Sequence, residues 1–217
     1  HMDQDKKVSS KTFKFFEWLF ALVVTNLITI FLIVPIFTAF SAITTLIEVL
    51  KDFSTEGPAS VIKTYFITFG KNFKRSIAFG IINTIILALI ILSLYFYGFL
   101  IKPEAIIGQI GFWFTVGITI FFIFINLQLP FVFVNFPYVG VFDGYKFSLF
   151  VSFRHFLNTM LVLACFLLAI SGIVLFPIWI CIGVSGSAFL AVKITDPIYY
   201  YLKKIIERDE NKDNEEE

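Results

Sequence analysis

Charge is scarce in this chain, and long stretches carry none. Only 15% of residues are Asp, Glu, Lys or Arg, too few for the solvated surface of an ordinary soluble domain. The windows 18–47, 76–101, 105–142 and 156–192 have no charged residue at all. A formal net charge of +1 gives no general attraction to nucleic acid. Cysteine is equally sparse. Cys165 and Cys181 both lie in apolar windows, without the CxxC or Cys/His spacing of a metal or redox centre. They read as small hydrophobes in helix contacts. His1-Met2 reads as a scar of tag removal, which leaves His155, beside Arg154, as the one histidine available for chemistry. No acidic pair, HExxH run, nucleophile with a base or glycine-rich phosphate loop is present. The expectation is a protein that is not an enzyme, with no cofactor and no metal site. A cleavable signal pattern is also missing, because the first apolar block is long and no small-residue cleavage site follows it.

What the chain has is hydrophobicity. Apolar residues make up 58%, and the mean hydropathy is +0.88. Crossing about 30 Å of hydrocarbon takes roughly 20 apolar residues as a helix, and each charge-free window meets that length. Backbone polar groups find no water in lipid, so these windows are helical wherever they face it. The fold class is therefore all-α. We expect a polytopic transmembrane helical bundle of about six membrane-embedded helices, with proline-broken hairpins and one or two interfacial amphipathic helices. The bias to Phe, Ile and Lys suggests an AT-rich bacterial genome.

Three regions follow from the order of composition along the chain. Residues 1–16, with Lys6, Lys7, Lys11 and Lys14 among Phe13, Phe15 and Phe16, read as a basic arm on an anionic membrane surface. Residues 17–205 form a single transmembrane domain, and the acidic tail 206–217 has the composition of a disordered segment. Inside the domain, Pro35 and Pro177 break two of the windows, since proline lacks the amide donor and clashes with the preceding turn. Ser54-Thr55-Glu56-Gly57-Pro58 signals a turn and a helix restart. From there Val61, Ile62, Tyr65, Phe66, Phe69 and Phe73 share one face and Lys63, Lys71, Lys74 and Arg75 the other, the pattern of an interfacial amphipathic helix over 58–75. Asp143-Gly144 starts a second, shorter one that ends at Arg154-His155.

The count of passes is argued from the accumulation of Lys and Arg on the cytoplasmic side. One pass per window splits the basic residues ten to seven. With Pro35 and Pro177 as hairpin tips the passes become 18–34, 36–52, 76–101, 105–130, 156–176 and 177–193. Sixteen of the seventeen basic residues then share one face with both termini, and Lys102 of the tight turn Lys102-Pro103-Glu104 stands alone opposite. The hairpin arms are short, about 25 Å at 1.5 Å per residue, so thin spanning and re-entrant arms both stay open. Leu32-Ile33-Val34-Pro35-Ile36-Phe37 echoes Val174-Leu175-Phe176-Pro177-Ile178-Trp179, as internal duplication would produce.

Polar groups inside the spans are amides and hydroxyls. Asn26, Asn83, Asn126 and Asn158, on four helices, form a possible intramembrane network, either as hydrogen-bonded glue between helices or as a neutral pocket for a hydroxyl-rich solute. Thr38/Ala42 and Gly183/Ser187 follow the small-xxx-small spacing of close helix contacts, within the protomer or toward a partner membrane protein. Lys63, Lys71, Lys74 and Arg75 are the expected basic face on the membrane surface. Glu48 and Asp143 sit at span ends, where Lys51 and Lys146 three residues on are their expected partners.

Some of these residues also carry a resemblance. Asn26-Leu27, then Pro35-Ile36-x-Thr38, then the aromatics Tyr65, Phe69 and Phe73 ending at Lys74, and Phe142-Asp143 before an amphipathic run, together resemble the YesL-like bacterial membrane proteins over roughly residues 15–205. Phe40-Ser41 stands where members usually have Gly-Pro and a run of alanines. The resemblance implies a multi-pass bacterial cytoplasmic-membrane protein, accessory to carbohydrate uptake and contacting the bilayer and transporter subunits, with no catalytic or ligand residues to assign. Two other functions fit the residues: a membrane-embedded substrate-binding subunit of a transporter, and a lipid-interacting structural protein.

Overall fold

The computed structural model describes residues 2–58, 60–100 and 106–216, with side chains between 12 and 208. Its described secondary structure is entirely helical: α1 Met2–Ile33, α2 Ile36–Glu56, α3 Val61–Tyr95, α4 Ile106–Asn135, α5 Val141–Arg154, α6 Phe156–Leu175 and α7 Gly183–Glu216. A π-helical turn, Phe96–Leu100, extends α3, and a 3₁₀ turn, Pro177–Cys181, joins α6 to α7.

Proline and glycine set the breaks. Pro35 is extended at φ −77°, ψ 109°; the Thr38 N–H donates to the Pro35 carbonyl at 2.8 Å, and the Thr38 hydroxyl is within hydrogen-bond distance of the carbonyls of Leu32 and Pro35. Gly57, at φ 85°, ends α2 by donating its N–H to the Phe53 carbonyl at 3.0 Å. Phe176 is pushed to φ −134°, ψ 99° by the proline that follows it. Pro130 and Pro197, in contrast, sit within α4 and α7.

Four stretches are long and apolar enough to cross a membrane: Thr12–Ile33, Val61–Leu100, Ile106–Asn135 and Phe156–Leu175. The return arms α2 and α7, counted above as the second and sixth passes, fall outside that set because Glu48, Lys51 and Asp52 interrupt one and Lys193 and Asp196 the other. They are the inner elements instead. Eleven of the 21 residues of α2 are buried, and it touches α1, α3, α4 and α7.

Three clusters make the core. Ala21, Leu46, Leu50, Phe53, Val61 and Tyr65 join α1, α2 and α3. Phe40, Phe79, Leu129 and Phe133 join α2, α3 and α4, with Phe40 and Phe79 stacked at 5.2 Å and Phe133 edge-on to both. Ile47, Phe131, Val162, Val192 and Tyr199 join α2, α4, α6 and α7.

Several expectations change. The amphipathic stretch 58–75 is no separate interfacial helix. Nothing interrupts the backbone at residues 73–76, so it is the first half of α3, with Val61, Tyr65 and Thr68 buried against the bundle and Ile62 and Phe66 left outside. Likewise α4 runs through Pro130 to Asn135 rather than ending there. The acidic stretch from 206, expected to be disordered, continues α7 to Glu216, and the basic arm is the start of α1. The side chains of Lys6, Lys7 and Lys11 and the whole turn Lys102-Pro103-Glu104 lie outside the described residues.

Candidate functional site

The four asparagines do not form one network. Asn26 bridges α1 to the second hairpin, accepting the Ser185 N–H at 2.9 Å and donating to the Ile180 carbonyl at 2.6 Å. Asn158 belongs to a separate cluster, in which Gln128 donates to it at 3.3 Å and to Thr159 at 3.0 Å, while Tyr199 donates to Gln128 at 3.1 Å. Asn83 accepts from the Tyr145 hydroxyl at 2.8 Å. Among the described residues Asn126 bonds within its own helix, to the Phe122 carbonyl at 2.9 Å. Two further pairs are buried: Thr29 with Tyr65 at 2.8 Å, and Ser76 with Ser41 at 2.7 Å. Gln128 is an intramembrane amide that the sequence offers beside the asparagines, and Tyr65 lies on the apolar face read over 58–75; Tyr199 was not singled out, since hydropathy does not say which hydroxyl finds a partner on another helix.

The small-residue positions are inside the protomer. Thr38, Ala42, Gly183 and Ser187 are all buried, Thr38 on the turn at Pro35 and Ser187 with a hydroxyl that has no partner among the described residues. These positions contribute to close helix approach within the chain.

Ionised side chains gather at one level of the bundle. Glu48 accepts from Asn72 and lies 3.7 Å from Lys71; Lys51 donates to Asn135 and lies 3.4 Å from Asp196. The expected i,i+3 pair is made by Asp143 and Lys146 at 3.7 Å. It is not the arrangement at Glu48 and Lys51, which turn to different helices. Arg75 is a correction to the expected basic surface face. Its guanidinium stacks 3.9 Å above the Phe133 ring and donates to the carbonyls of Phe133 and Phe136 at 3.2 and 3.0 Å. Those carbonyls are at the end of α4, where the helix has no donors of its own and its dipole favours a cation. Lys63 and Lys74 remain exposed, and Lys71 is exposed beyond its contact with Glu48.

Between α2, α3 and α4 lies a cavity of about 260 Å³. Ile36, Phe40, Gly80, Leu87, Phe122 and Pro130 contribute apolar wall, and Asn83, Thr84 and Asn126 are its polar lining. Thus two of the four asparagines come together, across a space rather than through a bond. A second, larger hollow of about 340 Å³ is walled mainly by Phe136, Val139, Phe147, Phe150 and Ile206, with Asp143 and Lys146 at hand. Among the described residues no group of His, Cys, Asp and Glu has the arrangement of a metal site.

These features define a polytopic helical membrane protein, with its polar side chains directed inward and its apolar ones toward lipid. Over residues 22–94 the chain matches a family described as "Protein of unknown function, DUF624". The matched stretch holds Asn26-Leu27, Pro35-Ile36, Thr38 and the aromatic series to Phe73. No curated protein and no solved structure matches the chain.

Proposed function

We propose that this chain is a YesL-like, non-catalytic protein of a bacterial cytoplasmic membrane, accessory to a carbohydrate or small-solute uptake system. The observation that supports the reading best is the way its polar groups are used. Asn26, Gln128, Asn158, Thr29, Tyr65 and Ser76 bond to groups on other helices, which fixes helix order. Meanwhile only seven of the 35 residues of α3 are buried within the protein, so an apolar flank that includes Ile85, Leu89 and Leu92 is open to lipid or to another protein's helices. The experiment is a pull-down from native membranes, identified by mass spectrometry. Enrichment of a permease or transport ATPase, lost when Ile85 and Leu92 are both replaced by Trp, is the expected result. Recovery of the chain with lipid alone overturns the reading.

In the bilayer, six helices are embedded, and the hairpins at Pro35 and Pro177 are re-entrant. Gly80 abuts the Phe37 carbonyl so closely that a Cβ would collide with it, which sets the α1–α2 tip beside Gly80. From there α3 and its π turn continue to Leu100, about 30 Å further at 1.5 Å per residue. One interface cannot hold both ends. The tip residues are apolar and outward, Val34 at 75% and Ile36 at 62% exposure, and so is Ile178 of the second tip at 81%. Carbonyls at the breaks are met by Thr38 and Asn26, as hydrocarbon requires. Both termini and sixteen of the seventeen basic residues then face the cytosol. Single cysteines at positions 34 and 176 should resist a membrane-impermeant maleimide from both sides of sealed vesicles. Positions 63 and 203 should label together from the inner side, and position 102 from the outer. Labelling of 34 or 176 from outside would show full spans.

A further inference from the structure

We propose that the cavity between α2, α3 and α4 is an intramembrane site for an uncharged long-chain alcohol, a lipid whose polar head is a hydroxyl. The site goes beyond the accessory role and stands without it. Its polar inventory is specific. The Asn126 amide nitrogen gives one of its two protons to the Phe122 carbonyl, and Asn126 Oδ1 is an acceptor without a partner among the described residues. The Asn83 amide is used the other way round: Oδ1 accepts from Tyr145, and Nδ2 remains as a donor. Pro130, one turn beyond Asn126 in α4, has no amide to give, so the main-chain carbonyl of Asn126 lacks its helical donor as well. The Thr84 hydroxyl donates to the Gly80 carbonyl and can only accept from a ligand.

Acceptors outnumber donors around this space, and a ligand that both donates and accepts through one atom fits them. A hydroxyl does so; an ester or ketone has no proton to give. A carboxylate or phosphate is disfavoured, because no cation lines the cavity and a charge at such a site is costly. A free sugar fits poorly too. Only three of the eleven lining residues have polar side chains, so most of its hydroxyls would be left without partners. The rest of the ligand must be apolar, and the way in is lateral. Ile36 and Leu87, both lining residues, are 62% and 39% exposed on the lipid-facing side of the bundle.

The test uses the full chain in lipid nanodiscs with a diazirine-bearing hexadecanol as probe, a matched diazirine-bearing palmitate, and unlabelled hexadecanol and glucose as competitors. Ultraviolet labelling by the alcohol should map to residues 36–43, 80–87 and 122–130 and be displaced by hexadecanol but not by glucose. The palmitate probe should label these peptides several-fold less. Asn126→Leu, which removes an acceptor, and Leu87→Trp, which fills the space from a partly exposed position, should each lower labelling roughly threefold to tenfold. Melting in detergent checks that both fold; if Asn126→Leu does not, Leu87→Trp decides. Labelling spread evenly along α3, α4 and α6 and indifferent to Leu87→Trp overturns the proposal. So does equal labelling by palmitate, or displacement by glucose. Because the native pull-down reads partners and this experiment reads ligand capture, either proposal can fail while the other stands.

Discussion

Asn26 and Ser185 are 159 residues apart, yet the main-chain N–H of Ser185 donates to Asn26 Oδ1 at 2.9 Å. Ser185 lies in the first turn of α7, where helical N–H groups have no partner within their own helix. Asn26, fully buried two turns from the end of α1, therefore acts as a cap for a helix of the other hairpin, and its Nδ2 donates to the Ile180 carbonyl at the turn before it. One side chain satisfies a donor and an acceptor that water cannot reach in a bilayer.

The first prediction follows from that asymmetry among identical residues. Asn26→Leu should lower stability by about 1–3 kcal/mol, because it orphans the buried Ser185 N–H and the part-buried Ile180 carbonyl. Asn126→Leu should cost less than about 1 kcal/mol, since its bond among the described residues is to its own helix. Thermal unfolding in detergent, followed by circular dichroism, gives the ranking. Equal losses would contradict the assignment of Asn26 as the tie between hairpins.

Helix contact through glycine gives the second. Gly80→Ala should destabilise by roughly 1–3 kcal/mol, as the new methyl meets the rigid backbone at Phe37 and one of the two helices must shift. Gly117, also helical, has nothing within 4 Å of a Cβ. Gly117→Ala should be neutral, or stabilising by up to about 1 kcal/mol through helix propensity. The same melting experiment, run on both variants, is sufficient.

A third concerns Arg75. The planar guanidinium stacks on Phe133 while reaching two carbonyls, which a lysine ammonium cannot do in the same pose. Arg75→Lys should therefore cost about 1–3 kcal/mol despite preserving charge. Lys74→Gln, next along the chain and exposed, should stay within about 0.5 kcal/mol of the parent. If Lys replaces Arg75 without loss, the role of Arg75 is charge alone.

The fourth is a pH dependence. His155, at the break between α5 and α6, has its pKa lowered from 6.5, first by burial and then by the neighbouring Arg154. The unfolded chain thus takes up a proton at a higher pH than the folded one does. Stability should accordingly fall as pH drops below the ordinary histidine value and toward the lowered one. His155→Gln should flatten this part of the profile. Unfolding measured from neutral to mildly acidic pH would show it, and an unchanged slope in the variant would assign the dependence elsewhere.

Membrane class and helical content were determined by the sequence alone. Both follow from the hydropathy of charge-free windows and from the need of a backbone in lipid to bond with itself. The breaks at Pro35 and Pro177 were legible from the missing amide of proline, although the same residue at Pro130 and Pro197 is carried inside a continuous helix. Local chemistry was also enough for the Asp143–Lys146 pair, three residues apart on one helix.

Only the tertiary structure decided the partners. Glu48 faces Lys71 and Asn72 instead of Lys51, Arg75 closes the end of α4, and Asn26 meets Ser185 while Asn126 borders a cavity. Which side chains meet depends on how each helix is rotated about its own axis and how far it slides along its neighbour. Those two quantities are set by packing summed over many residues distant in the chain, and an apolar stretch that is hydrophobic all round carries almost no record of them.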